Sequence, residues 1–291
     1  MQEKGLFDIV ELLGDAPSSR LEAELRYFAV TLDSAFKYLY LVFISDPHYG
    51  SPWFDEARFL YTRDCVKKVP PLFVVLTGDL CESTIKSSKG EIFKQVGTPA
   101  NQRDKMIEWL IPIKHKVLGM TDGNHERRIS NETSVDITSD IAKALGVPYR
   151  PDGIMLKISF GDGNKSTPGR PYTYYTYSTH GYGGARTKSA KAVKVERQGQ
   201  FIVADLHTMS HDHVVNIAPD VILRPDDRTS EDKKTGFTTG RVKAVRKMLV
   251  KTSCYLKWGG YGEAGGFPPC DLATPVIKLR GTGDPRIYVG V

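Results

Sequence analysis

Three apolar runs, each closed by a polar turn, constrain this chain most. They are Tyr38 to Ser45, Leu72 to Leu76, and Val117 to Met120. Strands apolar on both faces belong inside parallel or mixed sheets covered by helices. Between them the spacing predicts a helix over about Phe54 to Lys68, stopped by Pro70-Pro71. A second helix is predicted from Asn101 to about Ile113, where Met106, Trp109 and Leu110 recur at helical spacing. Strand, helix, strand, helix, strand, with polar residues at each strand's C-terminal end, predicts an α/β sheet with its site along one edge. The endings are Asp46-Pro47-His48, Thr77-Gly78-Asp79 and Gly123-Asn124-His125-Glu126.

Upstream, Ser18 or Ser19 would cap a helix to about Phe36, with Leu21, Leu25, Phe28, Ala29 and Leu32 on one face. That predicts an N-terminal helical extension (1–37) before one domain (38–291). Downstream, a helix around Val135 to Leu145 stops at Gly146 and Pro148. Ile154 to Phe160 and Tyr172 to Thr179 read as strands, the second ending at His180. A basic helix follows, carrying Arg186, Lys188, Lys191, Lys194 and Arg197. A strand from Phe201 to Leu206 then runs into His207 and on to His211-Asp212-His213, and the remainder reads as strands and Gly/Pro loops, including 258–262. The two halves read as one domain because candidate ligands come from both.

The chain has 291 residues, formal net charge +6 and a pI near 9.0, which permits an anionic partner without requiring one. Cys65, Cys81, Cys254 and Cys270 form no CxxC pair, so they read as free thiols in a reducing compartment, with Cys81 notable for standing two residues past Asp79. No long apolar segment follows Met1, and the run 38–45 is too short to span a bilayer. A cytoplasmic protein with no membrane partner is expected.

Taken together, Asp46, His48, Asp79, Asn124, His180, His211 and His213 offer carboxylate, imidazole and amide donors without a thiolate. Such a set suits Mn, Fe or Zn better than soft metals. One buried histidine is ordinarily a packing residue; seven such groups at strand ends are not. The order Asp-x-His, Gly-Asp, Gly-Asn-His-Glu, His, His-x-His resembles the calcineurin-like metallophosphoesterase superfamily over about residues 38–213. Outside the motifs the resemblance is to phage and prophage phosphoesterases.

The resemblance implies a four-layer αββα sandwich of two mixed β-sheets flanked by helices. It implies two divalent ions, Mn first with Fe, Zn, Ni or Mg as alternatives. One ion would be held by Asp46, His48, Asp79 and His213, the other by Asp79, Asn124, His180 and His211, with Asp79 bridging. A hydroxide between the ions would attack phosphorus in line. His125 would face the substrate as acid or charge stabiliser, and Glu82 would orient His125; the alternative for Glu82 is a solvated loop acid. Asp79, Glu82 and His125 are thus the candidate catalytic residues.

The protein phosphatase branch reads Gly-Asp-x-x-Asp-Arg-Gly and Leu-Arg-Gly-Asn-His-Glu. Here Glu82-Ser83-Thr84 and Asp122 stand where its phosphate-clamping arginines would be. A monoester dianion needs more compensating cation than a diester, so a phosphodiesterase is expected, with a DNA or RNA nuclease as the leading form. The alternative is a phosphomonoesterase acting on phosphoprotein or nucleotide. Arg127 or Arg128 would replace the clamp or, more simply, pair with local acids. The basic segments 186–197 and 233–251 read either as a nucleic-acid groove or as solvated charged faces. The tyrosines 172, 174, 175 and 177 read as strand packing, with base stacking as the alternative.

Overall fold

The computed structural model describes residues 24–88, 92–164, 168–284 and 286–291. Its centre is a five-stranded sheet. Strand β2 (Tyr38–Ile44), β3 (Leu72–Thr77) and β4 (Val117–Thr121) run parallel, and β11 (Val276–Arg280) and β13 (Ile287–Gly290) join antiparallel in the order β13-β11-β2-β3-β4. A six-stranded sheet lies against it, ordered β1-β5-β7-β8-β10-β9. Its members are β1 (Tyr27–Thr31), β5 (Ile154–Phe160), β7 (Tyr172–Thr179), β8 (Leu206–Met209), β9 (Asn216–Glu231) and β10 (Thr238–Lys251). Both sheets are mixed. Two short strands, β6 (Gly163–Asn164) and β12 (Thr282–Gly283), pair apart from them.

The double-sided apolarity of β2 and β3 now has its cause. Leu41, Phe43, Phe73 and Val75 meet Leu156, Ile158, Leu206 and Val250 of the other sheet. Val42, Ile44, Val74 and Leu76 face the opposite way, onto helices. Those helices are α1 (Glu56–Lys68), α2 (Pro99–Leu110), α3 (Asn124–Thr133) and α4 (Ile137–Leu145), which contribute Phe59, Met106, Trp109, Ile129 and Ile141. On the far side α5 (Lys188–Phe201) lays Val195 against Met209 and Leu249. The layers are helix, sheet, sheet, helix, the αββα sandwich expected. A one-turn helix, α6 (Tyr261–Ala264), lies in the Gly-rich loop before β11.

Four local expectations change. Residues 27–31 are a strand, not helix: β1 pairs parallel with β5, Tyr27 opposite Met155 through Thr31 opposite Ser159. Its alternating exposure suits an edge strand covered on one face; the first 23 residues of the expected helical extension lie outside the described residues. Asn124 is not in a plain turn but opens α3, with Gly123 as an N-cap lacking a side-chain bond. The predicted strand over 201–206 is instead the end of α5 and a connection, and the strand is Leu206–Met209, so His207 lies in it.

The fourth concerns the basic segment 233–251. Met248 to Lys251 pair parallel with Leu206 to Met209, so the earlier part of β10 runs out past the N-terminal end of β8. With β9 it makes a two-stranded arm, exposed along 238–246 and on the order of 30 Å long at about 3.3 Å per residue. His211 and His213 follow the opposite, C-terminal end of β8. The arm therefore leads away from them, and its Lys243 and Lys247 pair with Asp226 and Asp220. Among the described residues no helix is long and apolar enough to cross a membrane.

Candidate metal centre

Every expected ligand follows the C-terminal end of a strand: Asp46 and His48 after β2, Asp79 after β3, Asn124 after β4, His180 after β7, His211 and His213 after β8. Strands β2, β3 and β4 of one sheet and β7 and β8 of the other thus deliver seven donors to one edge of the sandwich. Five of the seven, Asp46, His48, Asp79, His211 and His213, have φ between 48° and 69°. Left-handed backbone at non-glycine residues costs of order 1–3 kcal/mol each and persists only where surroundings enforce it. Here the turns after β2 and β3 hold each other, since Asp46 and His48 donate backbone N–H to the carbonyls of Gly78 and Asp79.

Three groups of side chains converge closely enough to hold an ion: Asp46, His48 and His213; Asp79, His180 and His211; and His48, Asp79 and His125. Asp79 Oδ2 is the shared atom. It lies 3.2 Å from His180 Nε2, 3.8 Å from His48 Nε2 and 3.9 Å from His125 Nε2. Around it, His213 Nε2 is 3.1 Å from Asp46 Oδ1 and 3.3 Å from His48 Nε2. Asn124 Oδ1 is 3.0 Å from His180 Nε2, and His211 Nδ1 is 3.2 Å from that same nitrogen. The first group holds three of the four residues expected around one ion and the second three of the four expected around the other, and Asp79 Oδ2 lies 3.8 Å from His48 of the first group.

The hydrogen bonds behind these atoms decide which lone pairs face inward. Asp46 Oδ2 accepts from Ser45 Oγ at 2.5 Å and from His211 N at 3.1 Å, leaving Oδ1 to the cluster. Asp79 Oδ1 accepts from His125 N at 2.8 Å, leaving Oδ2. His180 Nδ1 bonds the Thr77 carbonyl at 2.8 Å and His211 Nε2 the Gly183 carbonyl at 2.6 Å. Carbonyls only accept, so those nitrogens carry a hydrogen; once the rings are neutral the other ring nitrogens present lone pairs, the tautomers a metal requires. The donor set fits divalent cations.

Charge points the same way. Burial opposes ionising Asp46, yet His180 and His213 hold it below the usual carboxylate range; His180 and His125 do the same for buried Asp79. Burial alone would lower His48, but the Glu82 carboxylate 3.3 Å from its Nδ1 and the charges of Asp79 and Asp46 raise it to about 9. Burial likewise opposes protonated His180, which Asp79 and Asp46 raise to about 10. The pocket is thus negative enough to hold protons that a metal would displace. Protons on His48 and His180 compete below their raised values, so metal affinity is expected to climb as pH rises from 7 towards 9. Calorimetric Mn titrations in buffers of different ionisation enthalpy read both the slope and the released protons; a flat affinity would contradict this protonation.

Glu82 sits differently from the expectation. Its backbone carbonyl, not its carboxylate, receives His125 Nδ1 at 2.7 Å. The carboxylate is 3.3 Å from His48 Nδ1 and 3.9 Å from His125 Nδ1, and it also accepts from Thr84 Oγ1 at 3.0 Å. So Glu82 serves His48 first. Burial pulls His125 down to about 4, against the charge of Asp79.

Glu126 gains a role the sequence does not suggest. It is 1% exposed, and its carboxylate accepts from Asp79 N at 3.0 Å and from Cys81 N at 2.7 Å. It thereby pins the backbone that carries Asp79. Cys81 is buried, and burial raises its thiol well above the ordinary range, which makes it inert packing. Gly123 leaves no room for a side chain: a Cβ there would stand 2.0 Å from Asp79 N. Gly123→Ala is expected to displace Asp79 and lower metal affinity by about 10–100-fold, the usual scale for disturbed ligand support. Calorimetry on the folded variant checks this.

The basic helix also turns inward. Lys191 Nζ donates to the Asp212 carbonyl at 2.9 Å, and Lys194 Nζ to Asp212 Oδ1 at 2.7 Å and the Tyr182 carbonyl at 2.6 Å. From β10, fully buried Lys251 donates to Asp212 Oδ2 at 2.6 Å and to the Ser210 carbonyl at 2.9 Å. Three lysines therefore grip the residue between His211 and His213. Arg127 pairs with Asp122 at 3.3 Å and Asp152 at 3.2 Å, while Arg128 donates to Ser88 Oγ at 2.6 Å. Tyr172, Tyr174 and Tyr177 are buried packing residues, and Tyr175 stacks edge-on against Tyr27.

No protein-family model and no curated protein matches the chain. Solved structures match at low similarity. A conserved protein of Streptococcus pneumoniae described as a predicted phosphoesterase is 12% identical over 88% of this chain and 100% of its own, with TM-score 0.36. The Pseudomonas putida nuclease MPE is 10% identical over 86% of each chain, TM-score 0.34. Zinc-complexed Vps29 of Entamoeba histolytica is 12% identical over 87% of this chain and 98% of its own, TM-score 0.34. Likeness at this level transfers neither an activity nor a residue role.

Proposed function

We propose that the chain is a calcineurin-like metallophosphoesterase that uses two divalent ions to hydrolyse phosphodiesters. One observation carries this reading: Asp79 Oδ2 stands at the junction of two donor groups. Asp46, His48, Asp79 and His213 would hold one ion, and Asp79, Asn124, His180 and His211 the other. When bound, the ions supply Lewis acidity to an attacking water and to the phosphoryl oxygens.

The remaining chemistry belongs to side chains. His125 has its Nδ1 tied to the Glu82 carbonyl, which aims Nε2 at the shared Asp79 oxygen. Held at about 4, it is neutral in the free site. A bound phosphoryl anion favours its protonated form, and the imidazolium can then give its proton to the leaving oxygen.

Diester preference is supported by Arg127, which is committed to Asp122 and Asp152. Phosphomonoester hydrolysis is the second reading; the observation favouring it is Arg128, whose charge acts on His125. A nucleic-acid substrate has less support than the basic segments suggested, because Lys191 and Lys194 grip Asp212 and the β9–β10 arm leads away.

The deciding assay loads the protein with Mn and offers bis-p-nitrophenyl phosphate, p-nitrophenyl phosphate, and single- and double-stranded DNA. Diester turnover well above monoester turnover is expected. Strong monoesterase activity without diester turnover reverses the preference, and no turnover with any metal removes the enzyme reading.

A further inference from the structure

Two cysteines outside the ligand set lie in contact. Cys254 Sγ and Cys270 Sγ are 3.4 Å apart, although the residues are 16 positions apart in sequence. They join two segments that are already tied, since Ser253 Oγ donates to the Asp271 carbonyl at 2.6 Å. The first segment also underlies the metal-binding edge. The Asp46 carbonyl accepts from Tyr255 N at 3.1 Å, and Ser45 Oγ reaches the Ser253 carbonyl at 3.4 Å. Between the two cysteines runs the Gly-rich loop. Its Gly259 and Gly260 rest on the Trp53 ring, and its Phe267 lies under the Arg186 guanidinium.

We infer that Cys254 and Cys270 form a reversible disulfide by exchange with a small-molecule disulfide such as oxidised glutathione. Bond formation needs the sulfurs to close by about 1.4 Å, to the usual length of about 2.05 Å. The two segments are already held together beside the cysteines by the Ser253 hydroxyl on the Asp271 carbonyl. Cys254 is fully buried and Cys270 is partly exposed, so Cys270 meets the oxidant first. The Cys270 thiolate attacks one glutathione sulfur, giving a mixed disulfide and one glutathione thiolate. Cys254 gives up its proton and attacks the Cys270 sulfur, expelling the second glutathione. Two protein thiols are oxidised, one molecule of oxidised glutathione accepts the two electrons, and two reduced glutathiones leave. The bond closes the loop 254–270 covalently onto the segment that supports Asp46. The inference does not depend on the proposed phosphoesterase activity.

The test incubates the full chain in oxidised and reduced glutathione at graded ratios, then blocks free thiols and maps peptides by mass spectrometry. Wild type is expected to lose two hydrogen masses in a Cys254–Cys270 linked peptide while Cys65 and Cys81 stay alkylated, and reduced glutathione should reverse it. Cys254→Ser should instead stop at a mixed glutathione adduct on Cys270, and Cys270→Ser should form neither product. The two variants report separately, so poor folding of one leaves the other decisive. Four alkylatable thiols at every ratio, a bond through Cys65 or Cys81, or an unresolved Cys270 adduct in wild type would overturn the inference.

Discussion

Asp79→Asn is expected to remove bound metal and to lower phosphodiester turnover by about 10³-fold or more, while the protein still folds. The substitution keeps the shape. Its Oδ1 can still accept from His125 N, and asparagine tolerates the left-handed backbone at φ 48° better than most residues. What it removes is the charge on Oδ2, the atom that His48, His180 and His125 share. An amide cannot ligate two cations at one oxygen with comparable strength, and its N–H₂ would face imidazole lone pairs. The same charge helps raise His48 and His180, so the variant's metal-free site should also bind fewer protons at pH 7. Metal content by mass spectrometry, thermal unfolding and the diesterase assay together check it. Retained turnover with retained metal would sink the dinuclear reading; lost turnover with a collapsed fold would say only that Asp79 is structural.

Residues that follow a buried strand were legible from sequence because two signals coincide there. An apolar run fixes where the strand is, and the next polar residue must lie at its end. Asp46, His48, Asp79, Asn124 and His180 all obey this, and the αββα layers follow from the same runs; His211 and His213 also follow a strand, but one that begins where the expected strand ends. The strand β1 was not legible, because alternating exposure in a five-residue edge strand also fits part of a helical stripe. The start of α3 was hidden because Gly123 supplies no capping side chain. Supporting groups were harder still. Glu126 points its carboxylate at backbone N–H groups 45 and 47 residues away, and no local spacing encodes that. On α5, Lys191, Val195 and Gln198 make the buried face, so an apolar pattern cannot reveal that a lysine belongs to it.

Asp212 carries the second large effect, through charge burial. Its side chain is 2% exposed and its partner Lys251 0% exposed, at 2.6 Å. Removing one member of a buried ion pair leaves an uncompensated charge and costs about 3–5 kcal/mol, so Asp212→Asn is expected to lose that much in urea unfolding. The sign of its pH dependence is fixed by Lys251. Burial lowers that ammonium to about 8 from an ordinary 10.5, with Asp212 opposing the shift. Without Asp212 the folded value must fall further. A lysine lowered in the folded state penalises folding while it is charged, so the variant sheds its penalty at lower pH than wild type. Its deficit should therefore be largest in acid and shrink towards pH 8. Adding Lys251→Met removes the orphaned charge and should restore most of the stability, a non-additivity that a double-mutant cycle measures. Metal affinity should stay depressed in the double variant, because nothing then fixes the 211–213 turn from β10 and Lys194 loses its anionic partner. If stability and metal affinity recover together, Asp212 serves only to neutralise Lys251. If stability recovers alone, the three lysines hold His211 and His213 in their left-handed geometry through Asp212.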